Sequence, residues 1–467
     1  MRKIVWILLL AVLVASLVAC DTGNTPDNPT QSTEIETTDP ANPTNPTDPI
    51  ETEPLKYSEG LEFTAGDGDY YIVSGVGNCS DSNIVIPNTY NNLPVTEIGA
   101  SCFAYCNSIA SVIIPDNITR IGDSAFERCT RLTDISIPDG VTEIGSDAFN
   151  HCTSLTAVKL PNNLTEISDY LFFWCTNLEC VEIPDGVTSI GERAFFNCIK
   201  LNSVSIPASV KQFGGAAFGA DNDMGDIAQL NVYITDLSAW CTIEFCDPYW
   251  GNVIGSAFCN PYNLYYNDEL LTDLFIPNDV TRINEEAFHN CISITSVKIS
   301  DSVTSMGYDA FAECPYLARV YIGKALATFE GWAQGGDIEV LFPDCDRLAA
   351  FIVDTENPNF SSDEKGLLYN KNKTVLLCVP AAIESTLRIP DGVEKIHYSA
   401  FDGCKKLAGI VLPKSLKLVM ESAFCDCNVL ANVYFEGTQS DWEKVRIEEW
   451  YNDNLTNATI HYNQNYM

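Results

Sequence analysis

The chain has 467 residues, with 26 Lys plus Arg against 63 Asp plus Glu and a formal net charge of −37. That balance argues against nucleic acid, whose phosphates are bound through Lys and Arg, and against docking on anionic lipid. Hydrophobic residues make up 46% of the chain, enough to build a large folded body.

Arg2 and Lys3 precede an apolar run from Ile4 to Val14, and Leu17-Val18-Ala19-Cys20 follows. A positive start and a short apolar stretch mark a secretory signal over residues 1–19. Its ending resembles the lipobox of bacterial lipoproteins, which implies cleavage before Cys20 and a lipid on its sulfur. No other stretch approaches the ~18 apolar residues of a membrane span. Lipid is therefore the one membrane contact expected, and the expected location is the outer face of a bacterial cell membrane. Residues 20–55 are rich in Thr, Pro, Asn and Glu, with little to bury. They read as a disordered tether, with a reach of roughly 110 Å when fully stretched.

Residues 56–83 hold Leu61-Glu-Phe63 and Tyr70-Tyr-Ile-Val73 around Ala-Gly-Asp-Gly-Asp. Two extended pieces around a turn predict a hairpin, placed to cap the array that follows. Asp67-Gly-Asp69 is explained by the turn rather than by calcium.

Residues 84–218 repeat one phrase, as in Ile121-Gly-Asp-Ser-Ala-Phe126-Glu-Arg-Cys129-Thr-Arg-Leu132-Thr-Asp-Ile135-Ser-Ile137-Pro138. Phe recurs at 103, 126, 149, 172, 195 and 218, Cys at 106, 129, 152, 175 and 198, and Pro at 115, 138, 161, 184 and 207. Every interval is 23 residues, a period that marks a leucine-rich solenoid. Leu-x-x-Ile-x-Ile reads as a half-buried strand, ended by Pro, which cannot continue a ladder. Asp-Gly turns the chain, Val-Thr-Glu-Ile makes a second short extended piece, and Ala-Phe-x-x-Cys is predicted as a short helical or 3₁₀ turn. No unit can bury its apolar side alone, so stacking makes the core. The fold class expected is an α/β repeat solenoid: a curved array with a parallel sheet and β-rich caps.

The Ile-Gly-x-x-Ala-Phe-x-x-Cys-x-x-Leu-x-x-Val-x-Ile-Pro runs resemble the BspA-like, or Treponema pallidum type, leucine-rich repeats of bacteria. That resemblance covers most of residues 84–435. It implies a surface protein, in some members an adhesin for host matrix proteins or other bacteria, and it carries no catalytic motif.

Over 219–276 the rhythm is interrupted: Phe218 to Phe288 spans 70 residues, one more than three periods. Irregular repeats are predicted there. The segment holds Tyr233, Trp240, Phe245, Tyr249, Trp250, Phe258, Tyr262, Tyr265 and Tyr266. Core packing accounts for most of these rings, with Tyr249 and Trp250 singled out for exposure and for stacking on a glycan or anchoring a protein. Asp221-Asn-Asp223-Met-Gly225-Asp226 lacks the closing Glu of a calcium loop. Regular repeats are expected over 277–345, a hairpin insertion over 346–386 (Gly366-Leu-Leu-Tyr369 and Thr374-Val-Leu-Leu377 around Asn-Lys-Asn-Lys), repeats over 387–430, and a C-terminal cap over 431–467 in which Trp442, Trp450 and Tyr451 cover the open edge.

The chain has 19 cysteines. Those on the ladder are expected to be buried free thiols, because stacked, parallel side chains give poor disulfide geometry. No zinc spacing is present, and Cys425-x-Cys427 is too close to supply one. The zincin, nucleophile-elbow and P-loop signatures are missing, and His151 and His289 (each just ahead of a ladder cysteine) read as repeat filler. No enzyme, cofactor or metal is expected. Function is expected on the repeat faces. The outward strand position reads Ile113, Ser136, Lys159, Glu182, Ser205, Lys298, Tyr321, Val411 and Tyr434. Lys159, Glu182, Lys298, Tyr321 and Tyr434, with Tyr249 and Trp250, are the candidate ligand-binding residues. The partner expected is an extracellular protein; the alternatives are a glycan or a ligand-free spacer. Glu97, Arg120, Glu143 and Glu166 stack in series, favourably around Arg120 and unfavourably where Glu143 meets Glu166.

Overall fold

The fold, taken from a computed structural model, is described for residues 56–221, 223–225, 227–246, 256–330 and 341–463. Each 23-residue unit makes one coil, and three hydrogen-bonded seams tie it to the next. The first seam is formed by the Leu-x-x-Val-x-Ile strands. Ser111–Ile113, Asp134–Ser136, Ala157–Lys159, Cys180–Glu182 and Ser203–Ile206 pair in parallel. They belong to a nine-stranded sheet running from Asn83–Val85 to Glu269–Leu270. The second seam is formed by shorter strands such as Arg120–Ile121 and Glu143–Ile144.

The third seam differs from the sequence expectation. The Ala-Phe-x-x-Cys segment is a run of turns, not a short helix. Ser124, Phe126 and Arg128 donate their N–H groups to Ser146, Ala148 and Asn150 of the next coil at 2.7–2.8 Å, whereas Glu127 and Cys129 bond back to Ser124 and Phe126. A helix would use all of these N–H groups internally. Left-handed residues, Ser124 at φ 54° and Arg128 at φ 57°, re-aim every second one along the stack.

Inside, Phe103, Phe126, Phe149, Phe172, Phe195 and Phe218 stack ring on ring with centroids 4.9–5.5 Å apart. Beside them runs the cysteine ladder. The described cysteines are free thiols, and the ladder members donate S–H to the Phe carbonyl one coil back: Cys129 to Phe103 at 3.1 Å, Cys152 to Phe126, Cys175 to Phe149 and Cys198 to Phe172 at 3.2 Å. A small apolar side chain with one weak donor suits that slot.

Between Phe218 and Phe288 the chain makes two long coils rather than three of regular length. Phe258 stacks on Phe218 at 5.3 Å, and its carbonyl accepts from Asn290 Nδ2 of the Phe288 coil at 3.0 Å. The first long coil carries the helix Leu237–Cys241, whose N-cap Asp236 accepts from Ala239 N. Trp240 is buried there and donates Nε1–H to Ala287 O at 2.8 Å. The second carries the antiparallel pair Tyr262–Tyr266 and Glu269–Leu270. Further on, Leu368–Asn370 and Val375–Cys378 form an antiparallel hairpin. Its second arm pairs in parallel with Lys395–Ile396, so the hairpin supplies the second seam of one coil.

The acidic column is split. Arg120 lies between Glu97 at 3.8 Å and Glu143 at 2.8 Å. The sheet holding these strands ends at Glu143–Ile144, and Glu166–Ile167 begins another. The seam parts where two carboxylates would be neighbours.

Candidate functional site

The first-seam strands point alternate residues outward, and ladder register places those residues in columns. In the first sheet Ser136, Lys159, Glu182, Ser205, Tyr233 and Tyr265 succeed one another, and Leu270 opposes Tyr265. In the next sheet Phe275, Lys298, Tyr321 and Ile352 do the same. In the last, Arg388, Val411, Tyr434 and His461 follow.

Register thus brings Lys159 beside Glu182 and Lys298 beside Tyr321, all four exposed. Tyr434 sits in a separate sheet, half-buried and stacked on His461 with centroids 4.8 Å apart. Val411 is not outward: it is 2% exposed, in a strand whose last four residues Gly409–Leu412 are all buried. Tyr249 and Trp250 lie outside the described residues. So does Cys20.

Sequence reasoning passed over several residues that dominate this face. Phe275 is 63% exposed, Leu270 45% and Ile352 40%, with Tyr321 at 36%. Tyr233 and Tyr265 are half-buried and stack on each other at 4.6 Å. Phe275 was readable: Leu271-x-x-Leu274-Phe275-Ile276-Pro277 is the repeat phrase, with Phe at the outward position. The flank of the ridge is small and polar. Asn263 Nδ2 bonds Asn231 Oδ1 at 3.0 Å, and Asn231 in turn bonds Asn202 O. The result is an apolar ridge in two rows, Tyr233, Tyr265 and Leu270 on one sheet and Phe275, Tyr321 and Ile352 on the next, with Lys298 between Phe275 and Tyr321. Of the remaining aromatic-rich segment, Trp240, Phe245, Phe258 and Tyr262 are buried and belong to the core.

The turn face carries different chemistry. His289, Asp309, Glu313 and Asp344 help to line a cavity of about 170 Å³. Burial pushes the His289 imidazole down to about 4, so it is neutral at pH 7, and its Nε2 is 3.8 Å from Glu313. His151 occupies a different slot, one residue nearer its cysteine. It stacks on Trp174 at 5.4 Å and bonds Asn150 Oδ1 through Nδ1. Among the described residues, Asp402, Cys425 and Asp426 form one grouping of metal-ligand types, with ligand atoms within 4.8 Å of one another. Burial, then Asp426, lifts the Asp402 carboxyl to about 6. Three such groups fall short of a closed structural zinc site.

The family model for the BspA type leucine rich repeat region matches in six copies, over residues 96–224, 261–334 and 382–467. Among solved structures, the chain is 25% identical to a leucine rich cell surface protein from Faecalibacterium prausnitzii, over 85% of this chain and 99% of that one, with a TM-score of 0.43. It is 29% identical to the leucine rich repeat protein of T. pallidum, over 38% of this chain and 85% of that one, at 0.34. A leucine-rich repeat protein from Bacteroides ovatus is 19% identical over 88% and 100%, at 0.47. No curated protein matches the chain. With six copies of the repeat spread over more than half its length, this chain belongs to the BspA type leucine-rich repeat family.

Proposed function

We propose that this is a lipid-anchored bacterial surface protein that binds an extracellular protein, as an adhesin does, through the outward strand face. The observation that carries this reading is the apolar ridge of Tyr233, Tyr265, Leu270, Phe275, Tyr321 and Ile352. Large exposed apolar rows on soluble proteins mark interaction sites, and aromatic residues dominate the energy of protein interfaces. Tyr233 and Tyr265 cover each other's faces, which leaves less open aromatic face for a sugar ring, and the aliphatic Leu270 and Ile352 beside the rings suit a packed protein surface. The leader, Cys20 and the tether support anchoring. Cys20→Ala is expected to abolish labelling by a fatty-acid precursor and to release the protein from membranes; labelling that persists would refute the anchor.

The binding reading is tested with the full chain in non-ionic detergent against a panel of extracellular matrix proteins at physiological salt. Saturable binding at micromolar affinity or tighter is expected for at least one.

A further inference from the structure

We infer a second docking point, for a Lys- or Arg-rich segment of a protein partner, at Trp450 and Tyr451. It lies on the turn side of the stack, away from the strand ridge, and stands independently of it.

The two rings are among the most exposed in the molecule, Trp450 at 67% and Tyr451 at 65%. The sequence assigned them to covering the array's edge, but they cover little. They are not loose either. Trp450 O accepts from Ser422 N at 2.8 Å. Beside them the buried Asn452 is clamped on three sides: its Oδ1 accepts from Phe424 N, and its Nδ2 donates to Met420 O and Glu448 O. The rings therefore project from a fixed backbone, with centroids 6.5 Å apart and planes inclined at 51°.

Tyr451 has φ 52°, at the left-handed position of its coil; the equivalent residues one and two coils back are Ser422 and Ser399. The position also takes Tyr170, at φ 56°, but that ring is half-buried and its hydroxyl donates to Glu192 Oε1 at 2.7 Å. Two-thirds of Tyr451 faces solvent, so its ring is open to something outside the chain.

The surroundings define the partner's charge. Glu448, Glu449 and Asp453 lie within three residues of the pair, and the nearest cation in sequence, Arg446, is already paired with Glu448 at 3.0 Å. The neighbouring coil adds Glu421, whose N–H is bonded to Glu448 Oε2, and Asp426. Exposed aromatic rings in an acidic stretch of surface attract ammonium and guanidinium groups through the ring quadrupole and direct pairing. A second copy of this chain, at −37, and an anionic membrane are both repelled.

The test uses fluorescein-labelled octalysine and the full chain in non-ionic detergent at about 150 mM salt, an ionic strength that screens the distant field. Saturable binding is expected. The double variant W450S/Y451S keeps every charge and is expected to bind at least tenfold more weakly. E448Q/E449Q/D453N keeps the rings and should weaken binding comparably. Tm should not fall in Y451S, since Ser422 and Ser399 hold that position in the two preceding coils. Octalysine bound equally by W450S/Y451S would show that only bulk charge attracts it and overturn the site. So would an absence of binding by the unsubstituted chain, or a Tm loss of several degrees in Y451S, which would make the ring a packing residue.

Discussion

Cysteine at the ladder position shows how one residue type satisfies several demands. Its N–H closes the turn on Phe of its own coil, and its thiol reaches the Phe carbonyl of the coil before. Burial raises the thiol pKa values, Cys129 and Cys345 to about 12, so thiolate, the reactive form, is scarce. Native alkylation with iodoacetamide at pH 8, read by peptide mass spectrometry, should therefore modify half-buried thiols such as Cys79, Cys106 and Cys425 first and leave Cys129, Cys152 and Cys175 untouched. Rapid labelling of the three ladder thiols would contradict this packing. The acidic residues also have local work. Asp123, Asp139, Asp169 and Asp301 each accept a backbone N–H 23 residues further on. Part of the large negative charge is thus a device for joining coils.

At the scale of elements, the seams show what spacing alone can and cannot reveal. The strand columns were legible because Pro and alternating apolar residues fix both ends and the facing of each strand. The turn seam was not, because Ala-Phe-x-x-Cys has the composition of a helical turn, and only the left-handed residues such as Arg128 and His151 reveal that alternate N–H groups leave the coil. Over 219–276 the sequence showed that the repeats are irregular but not their form: a 70-residue interval nearly fits three periods, while an inserted helix and hairpin leave no period of their own. The parting between Glu143 and Glu166 followed from like charges at facing positions. Glu166→Gln is expected to stabilise the protein by about 0.3 kcal/mol, less in high salt because both groups are exposed. Urea denaturation at low and high salt measures this, and a destabilised variant would argue that the gap has another origin.

For the whole molecule, the 23-residue period and the repeat phrase made the solenoid readable before any coordinate. The outward strand face was only half readable. Lys159, Glu182, Lys298 and Tyr321 were placed outward by pattern, and they are outward. Val411 followed the same pattern and is buried, because burial depends on what neighbouring strands place on either side. Phe275 was legible in its repeat phrase but passed over, and register sets it and Ile352 in one column with Tyr321. The most direct measurement is binding of the full chain and of its Phe275→Ser, Tyr321→Ser variant to whichever matrix protein the panel identifies, with Tm recorded for both. The ridge predicts at least a tenfold loss of affinity at unchanged Tm. Equal affinity in the variant, or no saturable binding anywhere on the panel, would contradict the strand face as the docking surface.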